Sequence, residues 1–183
     1  MYNAEKNANL QHQNIDMKGL RIYIIITYIL LPIAGFIGLV DFFMLLMAIR
    51  QPQVLLDVFI TGCVTVYTFA SYRFLKRVVL QPRNCTVGIV DWIKVNAYVS
   101  VFFAFRTLYQ SLAFVFNKNL QQQAIQQVLV GSNLPKESIQ MLPAIVQGTI
   151  IFLLLFVVLL LVHIVLSFFA IKHYRHHLKH AEE

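Results

Sequence analysis

Four apolar runs decide what this chain can fold into. They are Ile22–Ile49, Val54–Tyr72 with helical character continuing to Leu80, Trp92–Phe116 and Leu142–Ile171. Each is long enough to cross the ~30 Å of bilayer hydrocarbon, which takes about 20 helical residues. Backbone amides and carbonyls find no water there, so each run must close its hydrogen bonds internally as a helix. The expected architecture is all-α: an integral membrane four-helix bundle forming a single membrane domain, with spans at about 22–49, 54–80, 92–116 and 142–171. The first and fourth runs exceed the need and should tilt, kink or project. Pro32 is the candidate kink.

Composition closes the alternatives. Of 183 residues, 58% are hydrophobic and 13% charged, about half the ~25% charge of a soluble domain. A core this small cannot bury that much apolar surface. A soluble enzyme, a disordered tail and a disulfide-built secreted domain are excluded. Cys63 and Cys85 form no C-x-x-C pair, so thiol–disulfide exchange has no machinery here. The net charge of +7 comes without a basic helix face, zinc spacing or aromatic platform, so nucleic acid is not an expected partner. Anionic lipid headgroups are the simpler counterpart.

The distribution of basic residues sets the expected orientation. Lys6, Lys18, Arg21, Arg73, Lys76, Arg77, Arg83, Lys94, Lys172, Arg175 and Lys179 fall on one side; Arg50, Lys118 and Lys136 fall on the other. Eleven against three places both termini in the cytoplasm and the chain in the plasma (inner) membrane. The polar segment 1–21 then precedes a first span read as a retained signal anchor. The sequon at Asn84 falls in the cytoplasm and is silent. Segment 172–183 is a basic, His-rich cytoplasmic tail, and 117–140 is the outer loop. Within that loop, Leu120–Val130 reads as a short outer-surface helix between spans 3 and 4, with Leu120, Ala124 and Val128 on one face.

Polar residues inside the spans are ordered. Asp57, Thr61, Thr65, Thr68 and Tyr72 share one arc of about 80° on the second span. Asn96, Ser100, Thr107 and Ser111 form a matching stripe on the third, flanked by Arg106 and Gln110. Thr27, Ala34, Gly38 and Asp41 align on the first. Polar groups are costly against lipid, so these stripes should face the interior. With ~1.5 Å of rise per residue, Asp57, Asp41 and Arg106 lie roughly 5, 12 and 15 Å from the outer boundary. A buried Arg needs a partner, so Asp41, Asp57 and Arg106 are the expected ligand-or-ion site, or a structural ion pair. Thr61, Thr65, Thr68, Tyr72, Asn96, Ser100, Thr107 and Gln110 would line a polar path from it.

The fourth span has no polar side chain between Ile150 and Val162 and offers no evident inner face. Its position is expected at the periphery or against another subunit. Beyond it, His173, His176, His177 and His180 share a helical face, a weak metal-ligand pattern beside a basic interfacial helix. His163, the lone histidine within a span, cannot supply paired haem ligands by itself. No catalytic motif of the H-E-x-x-H, G-x-S-x-G or phosphate-loop kind occurs, and no residue pattern identifies a family. The expectation is a non-catalytic accessory, scaffolding or self-associating component of a membrane assembly, with no cofactor. Its partners are the lipid bilayer and other membrane subunits or itself. The alternative is a small channel or transporter with a polar path along spans 2 and 3.

Overall fold

A computed structural model describes residues 2–80, 88–130 and 136–174 of the chain. All elements among them are helical: α1 (Tyr2–Ala48), α2 (Leu55–Phe74), α3 (Gly88–Phe116), α4 (Lys118–Val130) and α5 (Lys136–His173). A 3-10 turn (Pro52–Val54) leads into α2, and a π-helical segment (Leu75–Leu80) extends it. Four stretches are long and apolar enough to cross a membrane: Gly19–Ala48, Pro52–Leu80, Gly88–Phe116 and Gln140–His173. The four long apolar helices therefore stand where the apolar runs placed them. Helix ends reach further: α1 includes the polar N-terminal segment, and α5 starts at Lys136, ahead of Pro143. Apolarity marks the part suited to hydrocarbon, whereas backbone hydrogen bonding continues until a cap or turn stops it.

The α1–α2 connection is tight. Arg50 and Gln51 both donate their amides to the Met47 carbonyl at 3.0 and 3.1 Å, and Val54 donates to Gln51 O at 3.1 Å. Pro52 opens the 3-10 turn, where its missing N–H leaves nothing unsatisfied. Helix α1 runs on through Pro32 without interruption of its helical assignment.

The chain divides into two compact units: Met1–Phe103 together with Leu161–Glu183, and Ala104–Leu160. In the first, α1 and α2 meet through alternating turns. Tyr23, Ile26, Thr27, Leu30 and Ala34 are buried on α1, and Ile60, Cys63, Val64, Tyr67, Ser71 and Phe74 on α2. The two helices come close at Gly38, where an added Cβ would lie 3.0 Å from Thr65 Cγ2. Helices in an apolar medium gain from such close packing rather than from expelling water. The C-terminal part of α5 also has a distinct inner face, with His163, Ile164, Ser167, Ala170 and Ile171 buried. Between Ile150 and Val162, where polarity marks no inner face, Phe156, Val157 and Leu160 are nevertheless buried; beyond Val162 the inner face carries the polar His163 and Ser167.

In the second unit, the corner between α3 and α4 is capped from both sides. Asn117 Oδ1 accepts from the amides of Asn119 (3.1 Å) and Leu120 (3.4 Å), closing the N-terminus of α4. Gln121 Nε2 donates to Phe114 O at 2.9 Å, satisfying a terminal carbonyl of α3. The expected short helix is present as Lys118–Val130, with Leu120 exposed.

Candidate functional site

The densest polar construction lies in the first unit and is built from three helices. Each contributes a ring-bearing polar residue and a hydroxyl four positions later: Tyr23 and Thr27 on α1, Tyr67 and Ser71 on α2, His163 and Ser167 on α5. That spacing puts both members on one helix face. All six are at most 1% exposed.

His163 is the hub. Its Nε2 lies 2.9 Å from Thr27 Oγ1, and its Nδ1 lies 2.8 Å from Tyr67 Oη. Tyr67 Oη in turn lies 2.9 Å from Ser167 Oγ. The Tyr23 ring stacks on the imidazole at 5.1 Å and 21°, and the Tyr67 ring meets it edge-on at 5.5 Å and 79°.

The proton positions follow from counting donors. Thr27 Oγ1 has one hydrogen and donates it to Tyr23 O at 2.6 Å. Toward His163 it can then only accept, so Nε2 carries the ring hydrogen. In the neutral ring Nδ1 is bare and accepts from the Tyr67 hydroxyl, leaving Tyr67 Oη to accept from Ser167. The bonds form one directed chain, Ser167 to Tyr67 to His163 to Thr27 to the Tyr23 carbonyl. It ends on a backbone oxygen that has no proton to pass on, and its bonds tie α1, α2 and α5 together. Both ring nitrogens are occupied, and haem ligation by His163 would break one of these bonds. At the margin, Tyr23 Oη donates to Ser71 O at 3.3 Å, while buried Ser71 Oγ has no hydrogen-bond partner.

The polar stripes are placed differently. Thr61 Oγ1 donates to Asp41 Oδ1 at 2.5 Å, joining α1 to α2, and also lies 2.7 Å from Asp57 O. One hydrogen cannot serve both fully, and the carboxylate is the stronger acceptor. Asp41 Oδ2 is buried without a hydrogen-bond partner. Thr65 and Thr68 turn back to the carbonyls of Thr61 (3.3 Å) and Val64 (2.9 Å). On α3, Asn96 Nδ2 donates to Trp92 O (2.8 Å) and Ser100 Oγ to Asn96 O (2.7 Å). Such back-bonding is how hydroxyls live on a helix in an apolar setting.

Asp57, Arg106 and Gln110 are exposed, and Thr107 and Tyr72 are half-buried. Asp57 stands in the first turn of α2, where a carboxylate complements the helix dipole. Arg106, Thr107 and Gln110 belong to the second unit. Tyr72 packs edge-on against Tyr28 at 6.0 Å. Of the histidine tail, His173 is exposed and lies edge-on to Tyr174 at 5.1 Å. His176, His177 and His180 lie outside the described residues, as do Asn84 and Cys85. Among the described residues no group of three or more His, Cys, Asp or Glu is arranged to hold a metal ion.

In the sequence His163 reads as a lone histidine, and nothing local singles out Tyr23 or Tyr67 as its partners. The usable signal was the repeated i, i+4 pairing of a polar ring with a hydroxyl on three spans. Comparison with known protein families, curated proteins and solved structures finds no match for this chain.

Proposed function

We propose that the protein is a non-catalytic multi-pass membrane component, an accessory or scaffolding subunit that associates with other membrane subunits or with itself. It sits in the plasma (inner) membrane with both termini in the cytoplasm. The observation that carries this reading is how the interior polar hydrogens are used. Those of Thr27, Thr65, Thr68, Asn96 and Ser100 go to carbonyls of their own helices. Those of Tyr67 and Ser167 go into the chain through His163. Apart from the second amide hydrogen of Asn96, none of these seven side chains keeps a free donor of the kind a catalytic site or a solute path needs.

The test is association measured in the native bilayer. Site-specific crosslinking from exposed positions such as Phe102 and Val165, followed by purification in mild detergent, should yield defined adducts with membrane proteins or with a second copy. Proteoliposomes of the pure protein should not raise ion or solute leakage. Monomers alone in the crosslinking, together with selective flux, would overturn the proposal.

A small channel or transporter is the second reading, and one observation favours it: the buried, unpartnered Oδ2 of Asp41. A carboxylate oxygen kept from lipid and from protein donors is a place for a cation. Flux that disappears with Asp41→Asn while the protein accumulates normally would select this reading.

A further inference from the structure

Helix α2 carries three faces. At about 100° per residue, Ile60, Cys63, Val64, Tyr67, Ser71 and Phe74 span one arc of about 100°, and the threonine stripe lies beside it. The third face points away from both. Gly62, Val66, Phe69 and Arg73 lie within about 60° of one another there. Val66 is 41% and Phe69 47% exposed. At Gly62 an added Cβ would meet nothing within 4 Å, so the face has a notch.

Above this apolar strip the character changes abruptly. Arg73, Lys76 and Arg77 follow at i, i+3 and i+4, all exposed, while Leu75 and Val78 on the other side of the π segment are buried and hold it in place. None of the three cations has an ion-pair partner among the described residues, whereas Lys94 on α3 lies 3.9 Å from Asp91. Further positive charge gathers at this end. Tyr23 bonding to Ser71 O brings the stretch of α1 that carries exposed Arg21 beside the end of α2. Tyr67 bonding to Ser167 does the same for the end of α5, with exposed Lys172.

We propose that this face of α2 binds an anionic phospholipid, with its phosphate among Arg73, Lys76 and Arg77 and an acyl chain along Phe69, Val66 and the Gly62 notch. The dimensions fit. Eleven residues separate Arg73 from Gly62, about 16 Å of helix, close to the half-thickness of a ~30 Å hydrocarbon core. Guanidinium groups suit phosphate oxygens in pairs, and the lysine adds a point charge. A zwitterionic lipid offers the same chains but carries its own cation, so the cationic triad discriminates against it. The inference rests on the membrane reading above and adds to it the leaflet and lipid class at one end of the molecule.

The full chain would be reconstituted into nanodiscs of phosphatidylcholine alone or with a minor fraction of phosphatidylglycerol, and the lipids retained after detergent stripping identified by native mass spectrometry. Failure to reconstitute at all would strike the membrane reading. Reconstitution with no enrichment of phosphatidylglycerol would overturn the inference and leave that reading intact. Enrichment is expected, weakening with salt. It should fall roughly 100-fold in R73Q/K76Q/R77Q, from a factor of about five per cation near an anionic surface. Arg50→Gln, at the opposite end of α2, should leave it unchanged. If the triple variant does not accumulate, Arg77→Gln alone should lower enrichment about fivefold. Wild-type enrichment in either variant, or loss of bound lipid to an equal concentration of inorganic phosphate, would overturn the lipid as occupant.

Discussion

The same two helices, α1 and α2, are joined by polar bonds at two levels, and the two joints are built on opposite terms. Around His163 the partners are neutral, each is at most 1% exposed, and the donors and acceptors run head to tail through Tyr67, Ser167 and Thr27. Around Asp41 a carboxylate takes one hydroxyl from Thr61 and leaves its second oxygen buried and unpartnered. A satisfied neutral network in a low-dielectric interior rigidifies, because every alternative arrangement strands a donor or an acceptor. A half-satisfied carboxylate does the reverse: it costs stability and persists only for another reason. The His163 joint therefore reads as the fastening of the unit, and the Asp41 joint as the place where stability was given up.

The sharpest way to break that contrast is to remove the hub. His163→Ala deletes a fully buried ring, leaves Tyr67 and Thr27 without their central partner and opens a cavity between three helices. The loss should be about 3 kcal/mol or more, read as resistance to unfolding in detergent. A loss under about 1 kcal/mol would mean that the ring merely fills space. Tyr67→Phe is the finer cut. It keeps the ring and removes only the hydroxyl shared by His163 and Ser167, at an expected cost of about 1–2 kcal/mol. Tyr23→Phe loses only a 3.3 Å bond and should cost less than Tyr67→Phe in the same measurement. Equal effects would show that stacking on His163, common to both tyrosines, outweighs the directed bonds.

How much of this could be read in advance follows from which signals are one-dimensional. The spans were legible because apolar length is a property of the sequence alone, and the Lys118–Val130 helix because its apolar residues repeat at helical spacing. The threonine stripe was legible for the same reason. Its centre, however, lies roughly 110° around α2 from the middle of the buried face at Tyr67. Ranking faces by polarity therefore chose the flank over the core. Tyr and His are amphipathic: their rings pack like large apolar residues while their tips hydrogen-bond. A hydropathy pattern averages these two properties and hides the residue that uses both. Which tip meets which is fixed by the pairing of helices distant in sequence, Thr27 with His163 being 136 positions apart. No local spacing encodes that.

The Asp41 joint is tested by a change of sign. Asp41→Asn keeps an oxygen for the Thr61 hydroxyl and removes the buried charge, so stability should rise by roughly 1 kcal/mol. Ser71→Ala is its neutral counterpart at the edge of the other joint. It deletes an unpartnered hydroxyl and should be neutral or stabilising by less than about 1 kcal/mol. If Asp41→Asn instead destabilises, the carboxylate is anchored by more than Thr61, and the contrast between the two joints fails.

The smallest effects concern the backbone approach that sets both joints in register. Gly38 and Gly35 are three residues apart on α1 and differ in what faces them. A methyl group at Gly38 would meet Thr65 Cγ2 at 3.0 Å, whereas at Gly35 it would meet nothing within 4 Å. Alanine improves helix propensity by up to about 1 kcal/mol at either site. At Gly35 that gain stands alone, so Gly35→Ala should stabilise by a few tenths to about 1 kcal/mol. At Gly38 it is opposed by the displacement of Thr65, whose hydroxyl is also tied to Thr61 O. Overpacking of this kind costs about 1–3 kcal/mol, so Gly38→Ala should be neutral to destabilising. Thr65→Ser, which removes the offending methyl, should restore the gain in the double variant. Restoration would locate the strain at that one contact; persistence of the loss would mean that the helices themselves had moved apart, and with them the register on which the Asp41–Thr61 bond depends.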